Sequence, residues 1–310
     1  MRAAEIRTPG RPPVVAERAA PEPGPGQVRV RVTAAPITPL DLLCASGESY
    51  FGVPATPYVP GVQGVGLLDG RPVWFATAAG MRPGDGSMAE HAVAASADVV
   101  ALPVEADHAL VAALGLSAVA AWRCLTGTGE LAEGETVLVL GAGGVVGQSA
   151  VQLARVAGAG RVVACARSAA ALKRAERLGA DAVVRLGEDD VDALARRLGD
   201  AAGPVDLVLD PVCGVPAAAA LRTLRPGGRL VNLGSAAGEE VAVPSALLRS
   251  RSLRILGYTN NELTAEERRE ALLTVVGHAM AGELTVGYEK VPLHEAARAW
   301  DRPGRVVVLP

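Results

Sequence analysis

Hydrophobic and polar positions divide the chain into two textures. Between residues 116 and 261, short apolar runs alternate with stretches of helical spacing. Strands are predicted at Val137–Leu140, Arg161–Ala166, Ala182–Val184, Val205–Leu209, Arg229–Leu233 and Leu253–Gly257, with helices around Val191–Leu198 and Pro216–Leu224. These runs are apolar at successive positions, not alternate ones. The sheet they form is therefore covered on both faces, which predicts six parallel strands in a doubly wound α/β domain. The first hundred residues differ. Prolines from Pro9 to Pro60 punctuate short alternating runs such as QVRVRVTAAP, the pattern of antiparallel strands and loops. A helix over Thr264–Met280 leads to a tail ending in Arg305–Leu309, a strand predicted to rejoin the β-rich part. The domains read as 1–115 with 262–310, and 116–261.

The junction at Val137–Gly147, VLVLGAGGVVG, is chemically the most specific. A buried strand drops into glycines and then into the helical pattern QSAVQLARVAG, which is how a chain turns closely around a pyrophosphate and offers it a helix N-terminus. The spacing is GxxGxxG over Gly141, Gly144 and Gly147, with Val146 where the strict motif has its last glycine. Nineteen residues beyond Gly147 stands the end of the next strand, where NAD sites place a carboxylate on the ribose 2′-hydroxyl. Here the chain reads Ala166, Arg167, Ser168. Arg167 can pair with a 2′-phosphate as a fork, and Ser168 can cap the next helix and donate to that phosphate. This favours NADPH over NADH; the competing reading of Arg167 is a solvated surface arginine.

Composition narrows the classes without changing this picture. The chain has 310 residues, half of them hydrophobic, and a net charge of −3. No basic stretch is interleaved with aromatics, so no nucleic-acid partner is expected, and no apolar run is expected to reach a membrane span. Met1–Gly10 lacks an apolar signal core, which predicts a cytoplasmic protein. Cys44, Cys124, Cys165 and Cys213 are scattered without a CxxC pair and read as buried small residues.

The segments EPGPGQVRVRVTAAPITPLDLL, PYVPGVQGVG, AVQLA after the glycine turn, LGADAVV, VDLVLDPV and LRPGGRLVNLG occur in that order. Together they resemble the medium-chain dehydrogenase/reductase superfamily, and its zinc-free quinone oxidoreductase branch most. The resemblance implies a GroES-like catalytic domain built from both chain ends around a Rossmann domain, with the active site in the cleft between them. It places the cofactor on Gly141, Gly143, Gly144, Val145, Val146, Arg167 and Ser168, and on the strand end Leu233, Gly234 and Ser235. The implied chemistry is hydride transfer from NADPH to a quinone or an activated C=C. Relatives often dimerise through the strand here at Leu253–Gly257, so a homodimer is expected.

Zinc members of the superfamily have ligands at the positions of Thr38, Val62 and Leu116, none of which can hold Zn²⁺. Ala76–Glu90 also lacks the four cysteines of a structural zinc lobe, so no metal is expected. Tyr50, in ASGESYFG, is the candidate to donate a proton or hydrogen bond to the substrate, against the reading of a loop aromatic lining the cleft. Thr38 is a candidate hydroxyl near the nicotinamide or else a turn cap. Asp41 reads as closing the ITPLD turn, and Gln63, where relatives have a carboxylate, as a buried amide tying loops together or else a group that hydrogen-bonds substrate. Two departures stand out: Ala171 replaces a lysine that the branch offers to the 2′-phosphate, and Ala120 replaces a threonine that touches the nicotinamide. The alternatives are a reductase of simple ketones or aldehydes and a non-catalytic NADPH-binding protein.

Overall fold

A computed structural model of the chain describes residues 1–187 and 190–310. The backbone forms two compact units, Met1–Gly115 with Val286–Pro310, and Leu116–Thr285.

In the first unit, β1 (Arg2–Glu5) and β2 (Val14–Glu17) form an antiparallel ribbon. Strand β3 (Gln27–Ile37) carries the alternating QVRVRV pattern; a short helix, α1 (Pro39–Ser46), follows it. Antiparallel to β3 run β4 (Gln63–Leu68) and, further along β3, β6 (His91–Ala95). Outside β4 lie β5 (Arg71–Ala76) and β7 (Val99–Ala101). The alternation puts Val30 and Val32 in a core with Ile6, Val59, Phe75 and Met88, while Arg29 and Arg31 stay exposed.

Helix α2 (His108–Arg123) continues into a π-turn at Cys124–Thr128. Against the sequence expectation, His108–Thr128 is long and apolar enough to cross a membrane by composition, with mean hydropathy 1.6. Yet 67% of that apolar window is buried inside the protein, and Gly115, at φ 33°, interrupts the helix. Its apolar character is spent on the cores of the fold.

The second unit starts with β8 (Thr136–Val139), α3 (Val145–Val156), β9 (Arg161–Ala166), α4 (Ala169–Arg177) and β10 (Ala182–Arg185). Then come α5 (Val191–Ala202), β11 (Val205–Asp210), α6 (Gly214–Leu221), β12 (Leu224–Asn232), α7 (Ser245–Arg251), β13 (Arg254–Gly257) and α8 (Ala265–Met280). All six strands are parallel, in the order β10-β9-β8-β11-β12-β13, which is the doubly wound arrangement with β13 at an edge. On β12, next to that edge strand, Arg229, 3% exposed, forks onto Glu135 and donates to the Gly129 and Glu130 carbonyls.

The chain then returns to the first unit as β14 (Tyr288–Pro292), α9 (Ala296–Ala299) and β15 (Arg305–Leu309). As expected from the tail's apolar run, β15 inserts beside β3, antiparallel through Val306–Ile37 and Val308–Ala35, with β14 parallel on its other side.

One boundary is corrected. Residues 262–285, assigned from sequence to the β-rich domain, belong to the second unit. Helix α8 buries Ala271, Leu272, Val275 and Val276, its Glu267 pairs with Arg123, and His278 meets the Trp122 ring. Thr285 exchanges two hydrogen bonds with the Gln152 amide, at 2.7 and 3.0 Å.

Candidate cofactor and active site

The glycine turn is shaped by backbone contacts. Gly141 lies at φ 67°, a conformation that glycine adopts without penalty, and the next amide, Ala142 N–H, donates to the Cys165 carbonyl at 2.8 Å. Gly144 is the N-cap of α3, and no side chain caps it, so the first-turn N–H groups have no side-chain acceptor. The closest approach is at Gly147, where a Cβ would stand 2.4 Å from the Gly141 carbonyl oxygen and 2.5 Å from Ala142 Cα. Only a glycine lets the helix come this near the strand end. Gln148 Nε2 locks the turn by donating to the Gly143 carbonyl at 3.0 Å. Val145 is buried and Val146 half-buried at the start of α3.

At the end of β9, Ser168 is the N-cap of α4, its hydroxyl accepting from Ala171 N–H at 3.2 Å. Arg167 is exposed, and its guanidinium has no partner among the described residues. The strand ends of β11 and β12 are pinned by Asp210. Its Oδ1 accepts from the Val212 and Cys213 amides at 3.0 and 2.8 Å, and its Oδ2 from Asn232 Nδ2 at 2.8 Å. Burial pushes this carboxyl above the ordinary range, against the pull of those hydrogen bonds. Leu233 N–H donates to the Asp210 carbonyl, and Gly234 packs so closely on Pro211 that a Cβ would lie 2.8 Å from its carbonyl oxygen. Ser235 donates its hydroxyl to Glu239 at 2.7 Å.

In the first unit Thr38 and Asp41 form a capping box at the start of α1, with Thr38 Oγ1 donating to Asp41 Oδ2 at 2.6 Å. Of the two roles entertained for Thr38, the structure displays the cap: the side chain is 5% exposed and its hydroxyl is committed to Asp41. Asp41 does more than close that turn. Its Oδ1 accepts from the Gly61 and Val62 amides at 3.0 and 2.9 Å, so one carboxylate ties together the loops carrying two of the vacated zinc-ligand positions. Burial raises the Asp41 carboxyl, opposed by these bonds and by the charge of Arg305, a guanidinium that burial in turn pushes down to about 10. The threonine-to-aspartate spacing announces the capping box; nothing in the sequence announces the reach to Gly61 and Val62.

Gln63 is fully buried at the start of β4 and accepts from the Trp74 indole at 3.2 Å, so its amide braces the neighbouring strand β5 where the sequence suggested loops. Tyr50 is 78% exposed, its ring tilted against Phe51 with centroids 4.3 Å apart. Its phenol has no hydrogen-bond partner among the described residues. Leu116 lies in the second unit, where its carbonyl accepts from Asn260 Nδ2 at 3.0 Å.

With this geometry in view, the relatives are informative. The sequence profile of the zinc-binding dehydrogenase family matches residues 145–276. A human quinone oxidoreductase is 30% identical over 86% of this chain and 82% of its own length. The mitochondrial enoyl-[acyl-carrier-protein] reductase of Rattus norvegicus is 27% identical over 88% of this chain and 76% of its own. Among solved structures, the quinone oxidoreductase of Thermus thermophilus, determined also in complex with NADPH, is 31% identical, covers both chains fully and superposes with a TM-score of 0.84. The chain is an oxidoreductase of the medium-chain dehydrogenase/reductase superfamily and belongs to its quinone oxidoreductase-like branch.

Proposed function

We propose that the protein transfers a hydride from NADPH to a quinone or to an activated carbon–carbon double bond, without a metal. The observation that carries this reading is the glycine turn at Gly141–Gly147, with an uncapped helix start and, at Arg167 where a 2′-phosphate would lie, a guanidinium without a partner among the described residues. The residues fit that group: Gly147 lets α3 start close against the strand end, the first turn of α3 carries no side-chain cap, and no carboxylate of the segment Ala166–Ser168 repels the phosphate. The NADPH-bound quinone oxidoreductase of T. thermophilus and the quinone and enoyl reductases among the relatives support it.

NADPH, when bound, supplies the hydride. The chain's own residues hold and orient it: the first-turn amides of α3 meet the pyrophosphate, Arg167 and Ser168 the 2′-phosphate, and the pinned segment Leu233–Gly234–Ser235 the nicotinamide end. The donor set does not fit zinc, because the Thr38 hydroxyl is spent on Asp41 and Val62 and Leu116 offer only apolar side chains. A conjugated acceptor suits such a site. Hydride added at its far carbon pushes charge onto an oxygen that a hydrogen bond can stabilise, and the exposed Tyr50 phenol is the donor assigned to it.

The test is NADPH consumption against a panel of quinones, enones and simple ketones, beside a fluorescence titration of NADPH and with strong chelator present. Turnover of quinones or enones that survives chelator is expected. NADPH binding without turnover of any acceptor would favour a non-catalytic binding protein, and turnover confined to simple ketones would redirect the assignment.

A further inference from the structure

The corner that receives Arg167 holds a second cation. Parallel pairing sets Arg185, the last residue of β10, directly beside Ala166, the last residue of β9. From there the Arg185 side chain crosses to the neighbouring strand, and its Nε donates to the carbonyl of Arg167 itself at 3.3 Å. The root of one guanidinium is thus anchored on the residue that carries the other. Arg197 steadies the arrangement from α5 by donating to the Arg185 carbonyl at 2.6 Å.

Arginine stays protonated at any physiological pH and carries five N–H donors in a planar fork. Arg185 uses one of them on the Arg167 carbonyl, and its two terminal nitrogens have no partner among the described residues. Both arginines are exposed, and neither has a carboxylate partner among the described residues. Two cations rooted at one strand corner repel each other. A dianionic phosphate monoester between the two forks removes the repulsion and converts it into charge-assisted hydrogen bonds. The first turn of α4 supplies no cation for this purpose, since it reads Ala169, Ala170, Ala171.

We infer that Arg185 is a specificity-determining residue that grips the 2′-phosphate of NADPH jointly with Arg167. This rests on the reading of the site as an NADPH site and adds to it a residue from a different strand, which only the register of β9 and β10 brings into place.

The experiment titrates NADPH and NADH into the full chain and into Arg185→Gln, Arg185→Lys and Arg167→Gln, following protein fluorescence. Arg185→Gln is expected to weaken NADPH on the order of tenfold while NADH changes by less than about twofold, the size of one lost charged hydrogen bond. Arg185→Lys should recover part of the NADPH affinity. Adenosine 2′,5′-bisphosphate should compete with NADPH in the parent and lose potency in Arg185→Gln, whereas inorganic phosphate, the other source of the same chemistry, should displace NADPH only weakly. Unchanged NADH affinity doubles as evidence that the variant is folded. Equal weakening of both cofactors by Arg185→Gln would assign the side chain to the fold and overturn the inference. A preference for NADPH that falls with Arg167→Gln but not with Arg185→Gln would overturn it too, while leaving the NADPH reading intact. A parent that binds NADH as tightly as NADPH would bring down both.

Discussion

Two loops of the molecule face the same physical problem with opposite solutions. At Gly141–Gly147 a strand ends, a helix begins, and the backbone amides at the helix start are left without a side-chain cap. At Thr38–Asp41 a strand also ends and a helix begins, yet there one buried carboxylate takes the amides of Thr38, Gly61 and Val62 and the Thr38 hydroxyl for itself. The first loop leaves its helix-start amides without a side-chain acceptor. The second is complete within its own chain. An exposed backbone donor is a binding site and a satisfied one is a brace, and the side chain nearby decides which.

This contrast can be broken most severely at Asp41. Asp41→Ala strips the acceptor from three buried amides and a hydroxyl and should cost about 3–5 kcal/mol of folding stability. Urea unfolding measures it, and a loss below about 1 kcal/mol, within the range of an ordinary surface change, would show that the brace is dispensable. Gly147→Val comes next. Its branched side chain would meet the Gly141 carbonyl and Ala142 within a Cβ's reach, so about 1–3 kcal/mol of stability should go, and NADPH affinity with it as α3 is pushed off the strand end. NADPH binding at parental strength would refute the cradle.

Tyr50→Phe asks whether the first unit supplies chemistry as well as structure. The ring pair with Phe51 is kept and only the hydroxyl goes, so kcat should fall by about tenfold or more with NADPH affinity untouched. A kcat within about twofold of the parent, measured against that loss, would remove Tyr50 from the reaction.

The smallest effect is on acid stability. Burial raises the Glu135 carboxyl, but hydrogen bonds from Arg229, the Ala132 amide and Arg225 and the Arg229 charge outweigh it and hold it below 4.5. Its stabilisation is therefore present above pH 4.5 and is lost as pH falls below that value. Asp41 has the opposite sign, since its raised carboxyl favours the folded state at low pH and loses that contribution as pH rises through the folded value. Glu135→Gln should flatten the drop of the urea midpoint below pH 4.5, and an unchanged drop would assign it to other carboxylates.

The second unit was legible because burial on both faces writes itself as continuous apolar runs. All six expected strands are present in the doubly wound order. What escaped reading depends on contacts between distant residues. Strand β12 starts at Leu224, because the polar stretch Arg225–Gly228 is absorbed by a register shift between Val205 and Leu207 on β11. Arg229 looks like any surface arginine in sequence and is buried because Glu135 and three carbonyls converge on it. Asp41 and Arg185 belong to the same class. Their partners are backbone groups, and backbone groups leave no residue type behind to be recognised. Helix α8 was misassigned for a related reason, since its pairing with Arg123 and Trp122 spans more than 140 residues.

The insertion of β15 between β3 and β14 has a temporal consequence. The unit that begins the chain has a sheet whose interior strand arrives last, whereas the unit Leu116–Thr285 is uninterrupted. During synthesis the second unit can close on itself while the strands of the first unit still wait for residues 305–309 to leave the ribosome. Until then the flank of β3 that β15 will cover stays open, an unpaired strand edge of the kind that invites pairing with another chain.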